Sequence, residues 1–245
     1  MAGTVVIVGA TGAIGSAIAR RAAGRGETLH LVGRDREALE AMVAELGGTY
    51  AIADAMDPAA LAEAVTAAGD TIAGLAYCVG SIVIQHLDRS RPEHFIDAFR
   101  LNALGAAMAV QAALPALRAT PGSAPGSAVV LFSTVAVRNG FPGHTVIAAA
   151  KGAVEGLALS LAAELAPSVR VNCIAPSLTR SGIAASLLRN PAMEKALAAA
   201  HPIPRLGEGD DAGAMADFLL SPASGWITGQ VIAVDGGRGT VRNKG

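Results

Sequence analysis

The sequence predicts a single-domain α/β protein with a doubly wound, parallel seven-stranded sheet. Short apolar segments alternate with alanine-rich helical segments from one end of the chain to the other, which is the pattern of stacked strand–helix–strand units. The strand segments are largely apolar runs, as expected for a sheet that helices cover on both faces. The 245 residues are 52% hydrophobic and 16% charged, which suits one domain with a large core.

Strands and helices are predicted in alternation within a domain that spans residues 1–245. The predicted strands are Thr4–Val8, Leu29–Val32, Tyr50–Ala53, Ile72–Ala76, Ala128–Phe132, Val169–Ile174 and Val231–Val234. The predicted helices are Ile14–Arg25, Arg36–Leu46, Pro58–Ala68, Pro92–Leu117, Thr145–Leu165, Pro191–Ala199 and Asp211–Leu220. The Pro-, Gly- and Ser-rich stretch Thr120–Ser127 predicts a surface loop. The long, irregular segment 177–205 follows a strand, where open α/β sheets bind ligands, so we predict a substrate lid there.

Charge and composition argue against several classes of protein. The 19 basic and 20 acidic residues leave a net charge of -1, without the basic cluster that nucleic-acid binding requires. No apolar run reaches the roughly 18 uncharged residues of a membrane-spanning helix. The first residues lack the basic segment of a signal peptide, so a cytoplasmic protein is expected. Cys78 and Cys173 lie in apolar segments and are expected to be buried thiols, neither a disulfide framework nor a metal site.

A glycine-rich turn follows the first strand and leads into a helix. Its sequence is Gly9-Ala10-Thr11-Gly12-Ala13-Ile14-Gly15. Such a turn brings backbone amides and a helix N-terminus close to a pyrophosphate. A glycine-rich turn alone is often only a turn, but the strand before it and the helix after it favour a dinucleotide site of the Rossmann type. We expect Gly9, Thr11, Gly12, Ile14 and Gly15 to contact the cofactor.

The end of the second strand favours NADPH over NADH. A site for NADH places an acidic residue there to bind the ribose 2′-hydroxyl group, but this chain has Gly33 followed by Arg34. Arg34 could pair with a 2′-phosphate. The alternative is that Arg34 is solvated and Asp35 caps the next helix. Asp54 is expected near the adenine, or alternatively as a cap of the helix that starts at Pro58.

Several segments further along the chain resemble the short-chain dehydrogenase/reductase superfamily, and the resemblance covers nearly the whole length. They are Asn102 in Leu-Asn-Ala-Leu-Gly, the helix of Lys151, Val171–Ser177, Ile227–Gln230 and Val234–Gly237. The resemblance implies a nicotinamide dinucleotide contacted by Gly80, Asn102, Lys151, Pro176, Ser177 and Thr179. Two departures stand out. Only Gly80 remains of the superfamily's Asn-Asn-Ala-Gly, and Ser177 replaces its usual glycine after Pro176.

The catalytic tyrosine of that superfamily is missing. Its members reduce carbonyls with a Tyr-x-x-x-Lys helix, in which the tyrosine protonates the oxygen and the lysine lowers the tyrosine pKa and holds the cofactor ribose. Here the residue four positions before Lys151 is Ile147, which has no proton to donate. The only tyrosines, Tyr50 and Tyr77, belong to other segments. The superfamily's serine corresponds to Thr134, so a hydroxyl group remains there.

Three proton sources remain open, and each implies a different catalytic set. His144 precedes Lys151 by two helical turns, a spacing that resembles the enoyl reductases of the superfamily, although Pro142 and Gly143 could leave His144 outside the helix as a capping residue. A water molecule held by Thr134 or Asn102 is the second source. The third is a substrate phenol beside the ketone, which would pass its own proton intramolecularly.

The missing tyrosine and the Ala-, Gly- and Arg-rich composition resemble polyketide-tailoring ketoreductases, in particular those that act on angucyclinones. We therefore expect an NADPH-dependent ketoreductase of antibiotic biosynthesis that reduces a ring carbonyl of a bulky aromatic polyketide. Asn102, Thr134, Lys151 and His144 form the expected catalytic set. The alternatives are an NADPH-binding pseudoenzyme that serves as a sensor or partner subunit, and an enoyl reductase that uses His144. The apolar helices Pro92–Leu117 and Thr145–Leu165 predict a homo-oligomer, a dimer or a tetramer.

Overall fold

The computed structural model describes residues 3–119 and 126–242. Its strands form a single seven-stranded sheet in the order β3-β2-β1-β4-β5-β6-β7, with every pair parallel. The strands are β1 (Thr4–Val8), β2 (Thr28–Gly33), β3 (Thr49–Ile52), β4 (Ile72–Tyr77), β5 (Ser127–Phe132), β6 (Val169–Pro176) and β7 (Val231–Val234). The predicted doubly wound fold is confirmed. Because the order reverses between β1 and β4, a crevice opens at their carboxyl ends.

The helices alternate with these strands, close to the predicted bounds. They are α1 (Ala13–Gly24), α2 (Arg36–Leu46), α3 (Pro58–Thr66), α4 (Pro92–Phe99), α5 (Gly105–Ala119), α6 (Thr145–Leu165), α7 (Pro191–Ala199) and α8 (Gly209–Leu220). Six of the predicted loop residues, 120–125, lie outside the described residues, and Ser127 begins β5 instead of ending the loop. In the predicted lid segment, α7 follows a short 3₁₀ helix, Gly182–Ala184.

The predicted helix Pro92–Leu117 is interrupted. A π-helical turn, Arg100–Leu104, separates α4 from α5. Asn102 lies in this turn, and its Nδ2 donates a hydrogen bond to the carbonyl oxygen of Ala98, 2.8 Å away. The side chain thus takes an acceptor that a regular α-helix would offer to the backbone N–H of the same residue. The local widening of the helix follows from this competition, and it holds Asn102 beside the sheet.

Two apolar cores cover the two faces of the sheet. One is formed with α3, α5 and α6, where Leu61, Val110 and Val154 pack against residues such as Val129. The other is formed with α1, α2 and α8, which contribute buried residues such as Ile18. Among the described helices, only α6 is long and apolar enough to cross a membrane. Here it packs on the sheet and carries Lys151 and Glu155 within its length, as expected for a core helix.

Candidate active site

A cleft of about 1260 Å³ opens at the carboxyl ends of the strands. One part is walled by the glycine-rich turn and the ends of β2 and β3, and another by residues of the segment 177–205. All but one of the predicted cofactor contacts line it: Gly9, Thr11, Gly12, Ile14, Gly15, Arg34, Asp54, Gly80, Lys151, Pro176, Ser177 and Thr179. Thr134 and His144 line it as well. The predicted set therefore converges on one cavity from elements far apart in the chain.

The glycine-rich turn forms a cradle that side chains would fill. Gly9 has a φ of +83°, and its N–H donates to Val32 O at 2.8 Å. A Cβ on Gly15 would lie 2.3 Å from Gly9 O, so glycine lets α1 approach the turn. The N-cap of α1 is Gly12, which has no side chain that could accept a hydrogen bond from the first N–H groups, and the first turn of α1 holds no acidic residue. Backbone N–H groups therefore face the cleft at the positive end of a helix, which fits a pyrophosphate.

At the ends of β2 and β3 the cleft presents an arginine. Asp35 caps α2, because its Oδ1 accepts a hydrogen bond from Ala38 N at 3.1 Å. Its carboxylate is thus engaged by the helix. The Arg34 side chain is 78% exposed, and its Nη1 lies 3.8 Å from Asp54 Oδ2. Asp54 does not cap α3, since that cap is Asp57. Asp35 thus caps α2, as the alternative interpretation expects, whereas the alternative in which Asp54 caps α3 is wrong.

Lys151 projects from α6 toward the cleft through a buried environment. Its side chain is 7% exposed, and its Nζ donates to Phe132 O at 2.8 Å. Burial lowers the pKa of Lys151 to about 8, an effect that the nearby thiols of Cys173 and Cys78 only partly oppose. A Cβ on Gly80 would lie 3.0 Å from Nζ. The absence of a side chain at Gly80 therefore leaves room for the ammonium group.

Asn102 is the predicted contact that does not line the cleft. It is 1% exposed and lies behind Gly80, whose hypothetical Cβ would be 2.9 Å from Asn102 Oδ1. Asn102 Nδ2 donates to Ser81 Oγ at 3.2 Å, whereas Oδ1 is buried and has no hydrogen-bond partner among residues 3–119 and 126–242. A buried amide oxygen without a donor is suited to a bound water molecule or a cationic neighbour.

Neither of the two tyrosines, both of which the structure describes, lines the cleft. Ile147 does line it and is 4% exposed. Tyr77 is buried at the end of the central strand β4, where its hydroxyl donates to Leu101 O at 2.7 Å, and burial raises its pKa. Tyr50 donates to Glu40 on an exposed surface. Neither phenol replaces the missing acid.

Thr134 and His144 each combine a structural role with access to the cleft. Thr134 Oγ1 accepts from Ala136 N at 3.3 Å and so caps a short 3₁₀ helix. His144 is the N-cap of α6, with its Nδ1 2.9 Å from Pro142 O and its ring 5.5 Å from the Phe141 ring. Because a carbonyl oxygen only accepts, Nδ1 carries a proton, and this leaves Nε2 of the neutral ring as an acceptor.

The end of β6 brings a serine and a histidine together in the same cleft. Ser177 Oγ lies 2.8 Å from His201 Nε2, and His201 Nδ1 lies 2.9 Å from Leu197 O. His201 is 4% exposed and lines the cleft. In the neutral ring Nδ1 donates to the carbonyl group, so Nε2 accepts from the Ser177 hydroxyl group. Thr179 Oγ1 donates to Ser177 O at 3.0 Å and supports this turn.

Sequence reasoning missed several polar and aromatic groups of the cleft. They are His201, Arg238, Phe141 and Ser133, whose Oγ donates to Glu155 Oε1 at 2.7 Å. Ser133 precedes Thr134, and Arg238 follows the segment Val234–Gly237, so their position beside predicted site residues could have indicated them. His201 lies inside the predicted lid segment, but no motif marks this residue, because only the fold of the segment 177–205 carries it to Ser177.

The chain has clear relatives. A family model described as enoyl-(acyl carrier protein) reductase matches residues 9–238. A tropinone reductase homolog of Arabidopsis thaliana is 30% identical over 244 residues, which cover 96% of this chain and 91% of that protein. The structure of a short-chain type dehydrogenase/reductase from Mycobacterium ulcerans is 31% identical, with a TM-score of 0.87 over 98% of this chain and 90% of the other.

A solved actinorhodin polyketide ketoreductase with NADPH has a TM-score of 0.87 over 98% of both chains, but at 20% identity this likeness shows the fold alone. The relatives of higher identity and the family model match nearly the whole chain. The chain therefore belongs to the short-chain dehydrogenase/reductase superfamily of oxidoreductases, which act on C=O and CH–OH groups with a nicotinamide cofactor.

Proposed function

We propose that the protein is an NADPH-dependent ketoreductase that reduces a ring carbonyl of a bulky aromatic polyketide, of the angucyclinone type, to a hydroxyl group in antibiotic biosynthesis. The observation that carries the proposal is one continuous cleft that joins the glycine-rich turn to an apolar chamber and contains Ile147 instead of a tyrosine. NADPH, when bound, supplies the hydride. The protein binds the cofactor and orients the ketone.

The preference for NADPH rests on Arg34. The carboxylate of Asp35 is engaged by α2, and no acidic residue occupies the end of β2 at Gly33. Arg34 pairs only at 3.8 Å with Asp54, so its guanidinium group can bind a 2′-phosphate. We expect Arg34→Ala to weaken NADPH binding by about 1.5–3 kcal/mol and to leave NADH binding nearly unchanged. The measurement is fluorescence titration with both cofactors, and equal affinities of the wild type would refute the assignment.

The chamber that would receive the substrate is mostly apolar. Its walls come from the loop after β4, the start of α6 and the segment 177–205; they include Ile82, Ile84, Phe141, Ile147, Ile183, Leu187, Met193 and Leu197. A flat polycyclic ketone can bury its rings against such walls, where each square ångström of apolar surface removed from water contributes roughly 25 cal/mol. Ile147 supports this interpretation, because an aliphatic side chain keeps the chamber apolar where a phenol would be expected.

A substrate phenol beside the ketone supplies the proton in this proposal. The bound cofactor would supply hydride to the carbonyl carbon, and the neighbouring hydroxyl group of the substrate would give its proton to the carbonyl oxygen and become a phenolate. Lys151 holds the cofactor ribose, while Thr134 and Asn102 organise polar contacts or water. No side chain then acts as the general acid, a role that is typically worth 10²–10⁴ in rate.

The deciding experiment compares a tetralone that carries a hydroxyl group beside its ketone with the methyl ether of the same compound. The wild type should reduce the ether roughly 10²–10⁴ more slowly, whereas His144→Ala and Thr134→Ala should each lose less than that with the free phenol. Equal rates for ether and phenol, together with an inactive His144→Ala variant, would exclude substrate assistance and assign the acid to His144. NADPH binding without turnover of any ketone would instead favour the pseudoenzyme alternative.

An enoyl reductase is the second candidate. His144 and Lys151 line the same cleft and stand seven residues apart, both within the α6 region. The description of the matching family model points the same way. This candidate requires reduction of an α,β-unsaturated thioester, with loss of activity in His144→Ala. A ketone substrate that is turned over faster than the thioester would exclude it.

We also propose that the protein forms a homo-oligomer. Ile96 and Phe99 of α4 and Leu159 of α6 are about half exposed, which leaves apolar surface for a second copy. Sedimentation of the full chain at micromolar concentration measures this directly. A purely monomeric species would contradict the proposal.

A further inference from the structure

We infer that the substrate of this cleft carries an ionised acidic oxygen, of which a carboxylate is the simplest case, and that Arg238 binds it. The inference rests on the proposed function, because it specifies the substrate class of the same site. Arg238 lines the cleft, is half-buried, and lies in the turn directly after β7.

Arg238 has no acidic partner in the described parts of the chain. Among residues 3–119 and 126–242, no carboxylate oxygen lies within 4.0 Å of its guanidinium group. The nearest acid in sequence, Asp235, is occupied by backbone donors, Gly237 N at 2.9 Å and Gly239 N at 2.7 Å. A half-buried guanidinium group without a counter-ion costs desolvation energy, which a bound anion would offset.

The contacts of Arg238 fix its orientation and leave donors free. Its Nη1 donates to Ala200 O, and this is the only hydrogen bond of the guanidinium group with residues 3–119 and 126–242. Its central carbon lies 5.4 Å from the centroid of the Phe141 ring. The planar group thus stands beside an aromatic wall, with further N–H donors available for the two oxygens of a carboxylate. An aromatic ring of the substrate can contact Phe141 while its acidic group reaches Arg238.

The distribution of charge along the cleft points to an anion at this end. The acidic side chains of the lining are Asp35 and Asp54, and both lie near the ends of β2 and β3 with Arg34. Around Phe141 and the segment 177–205, the described lining contains Arg189 and Arg238 as well as His144 and His201, but no aspartate or glutamate. A cleft wall of one sign raises the local concentration of an oppositely charged ligand.

The test measures binding in the absence of turnover. Full-length protein saturated with NADP⁺ is titrated calorimetrically with an anthraquinone carboxylate and with the corresponding neutral carboxamide. We expect the wild type to bind the carboxylate at least tenfold more tightly, and Arg238→Met to lose about tenfold to 100-fold in carboxylate affinity while its carboxamide affinity stays within threefold. Arg238→Lys should lie between the two, since it keeps the charge without the planar fork.

Arg189→Met is the matched control, because Arg189 lines the same cleft and its substitution removes the same charge. It should keep most of the preference for the carboxylate. Equal losses of carboxylate affinity in Arg189→Met and Arg238→Met would overturn the inference, because the summed positive charge of the cleft would then explain the binding. Equal wild-type affinities for carboxylate and carboxamide would also overturn it. The affinity for NADP⁺ reports whether each variant is folded. If Arg238→Met does not fold, the carboxylate affinity of Arg238→Lys tests the inference instead. Absence of ketone reduction with an intact carboxylate preference would refute the proposed function and leave the Arg238 site standing.

Discussion

Gly80→Ala is the sharpest test of how the site is assembled. Gly80 separates the cleft from Asn102 and adjoins Lys151, which lines the cleft beside it. A Cβ at this position would lie 2.9 Å from Asn102 Oδ1 and 3.0 Å from Lys151 Nζ. Ordinary contacts of a Cβ begin at 3.4 Å. Both polar atoms would therefore have to retreat by about half an ångström. They are the ends of side chains, so the backbone can stay in place.

The cost follows from what the two side chains now do. Lys151 Nζ donates to Phe132 O at 2.8 Å, and a hydrogen bond of a charged group is worth about 1.5–3 kcal/mol. Partial loss of this bond, together with local overpacking, should lower the free energy of unfolding by about 1–3 kcal/mol. NADPH binding should weaken at least tenfold, because the ammonium group that we assign to the ribose no longer occupies its position.

Urea unfolding and NADPH fluorescence titration measure the two effects separately. Gly156→Ala is the control. It adds the same methyl group on α6, where nothing lies within 4 Å of the new Cβ. It should leave NADPH binding unchanged and stabilise the helix by about 0.5–1 kcal/mol. If Gly80→Ala binds NADPH as tightly as the wild type, the position of Lys151 does not govern cofactor binding and the assignment is refuted.

Three further outcomes are expected. Lys151→Met should stabilise the cofactor-free protein at pH 7 while weakening NADPH binding. Because burial lowers the Lys151 pKa from 10.5 to about 8, the gain in unfolding free energy should shrink as the pH rises from about 8 to 10.5. A gain that stays constant when unfolding is measured across this pH range would contradict the prediction. Burial also lowers the pKa of His30 below its ordinary 6.5, so the stability advantage of the wild type over His30→Gln should fall as the pH drops below 6.5; parallel unfolding curves for the two proteins would exclude it. Ile147→Tyr should cost about 1–3 kcal/mol by overpacking a buried site and should not accelerate reduction of the methyl ether; a faster turnover would show that only the phenol was missing.

The fold could be predicted from local pattern because its signals are local. Most strands are largely apolar runs, and β1 and β7, which are followed by Gly9 and Asp235, have the bounds that the sequence predicts. The break between α4 and α5 could not be foreseen. Its cause is the Asn102 side chain, which competes for Ala98 O within a pattern that reads as one continuous apolar helix.

The same distinction between local and long-range signals applies to the site. The position of the glycine-rich turn, Arg34 and Lys151 at the cleft could be predicted, because each stands at a fixed distance from a strand or within a motif. The contact of Ser177 with His201 spans 24 residues, and that of Arg238 with Ala200 spans 38. Such pairs depend on where the segment 177–205 folds back, which no short-range pattern encodes. The chemistry that distinguishes one reductase from another is therefore the part that required the structure.

The presence of Lys151 in a cleft without a tyrosine has a physical implication. The buried ammonium group of Lys151 destabilises the cofactor-free fold, as the lowered pKa of Lys151 indicates. The hydrogen bond from Nζ to Phe132 O offsets only part of that cost. With a phenol nearby, such a lysine could act by tuning the phenol's pKa. Ile147 removes that role, and in our proposal the binding of the cofactor is the interaction that recovers the desolvation energy. Cofactor affinity should consequently decline as the pH rises through about 8, where Lys151 loses its charge, and a pH-independent affinity in the wild type would show that Lys151 does not bind the ribose as an ammonium group.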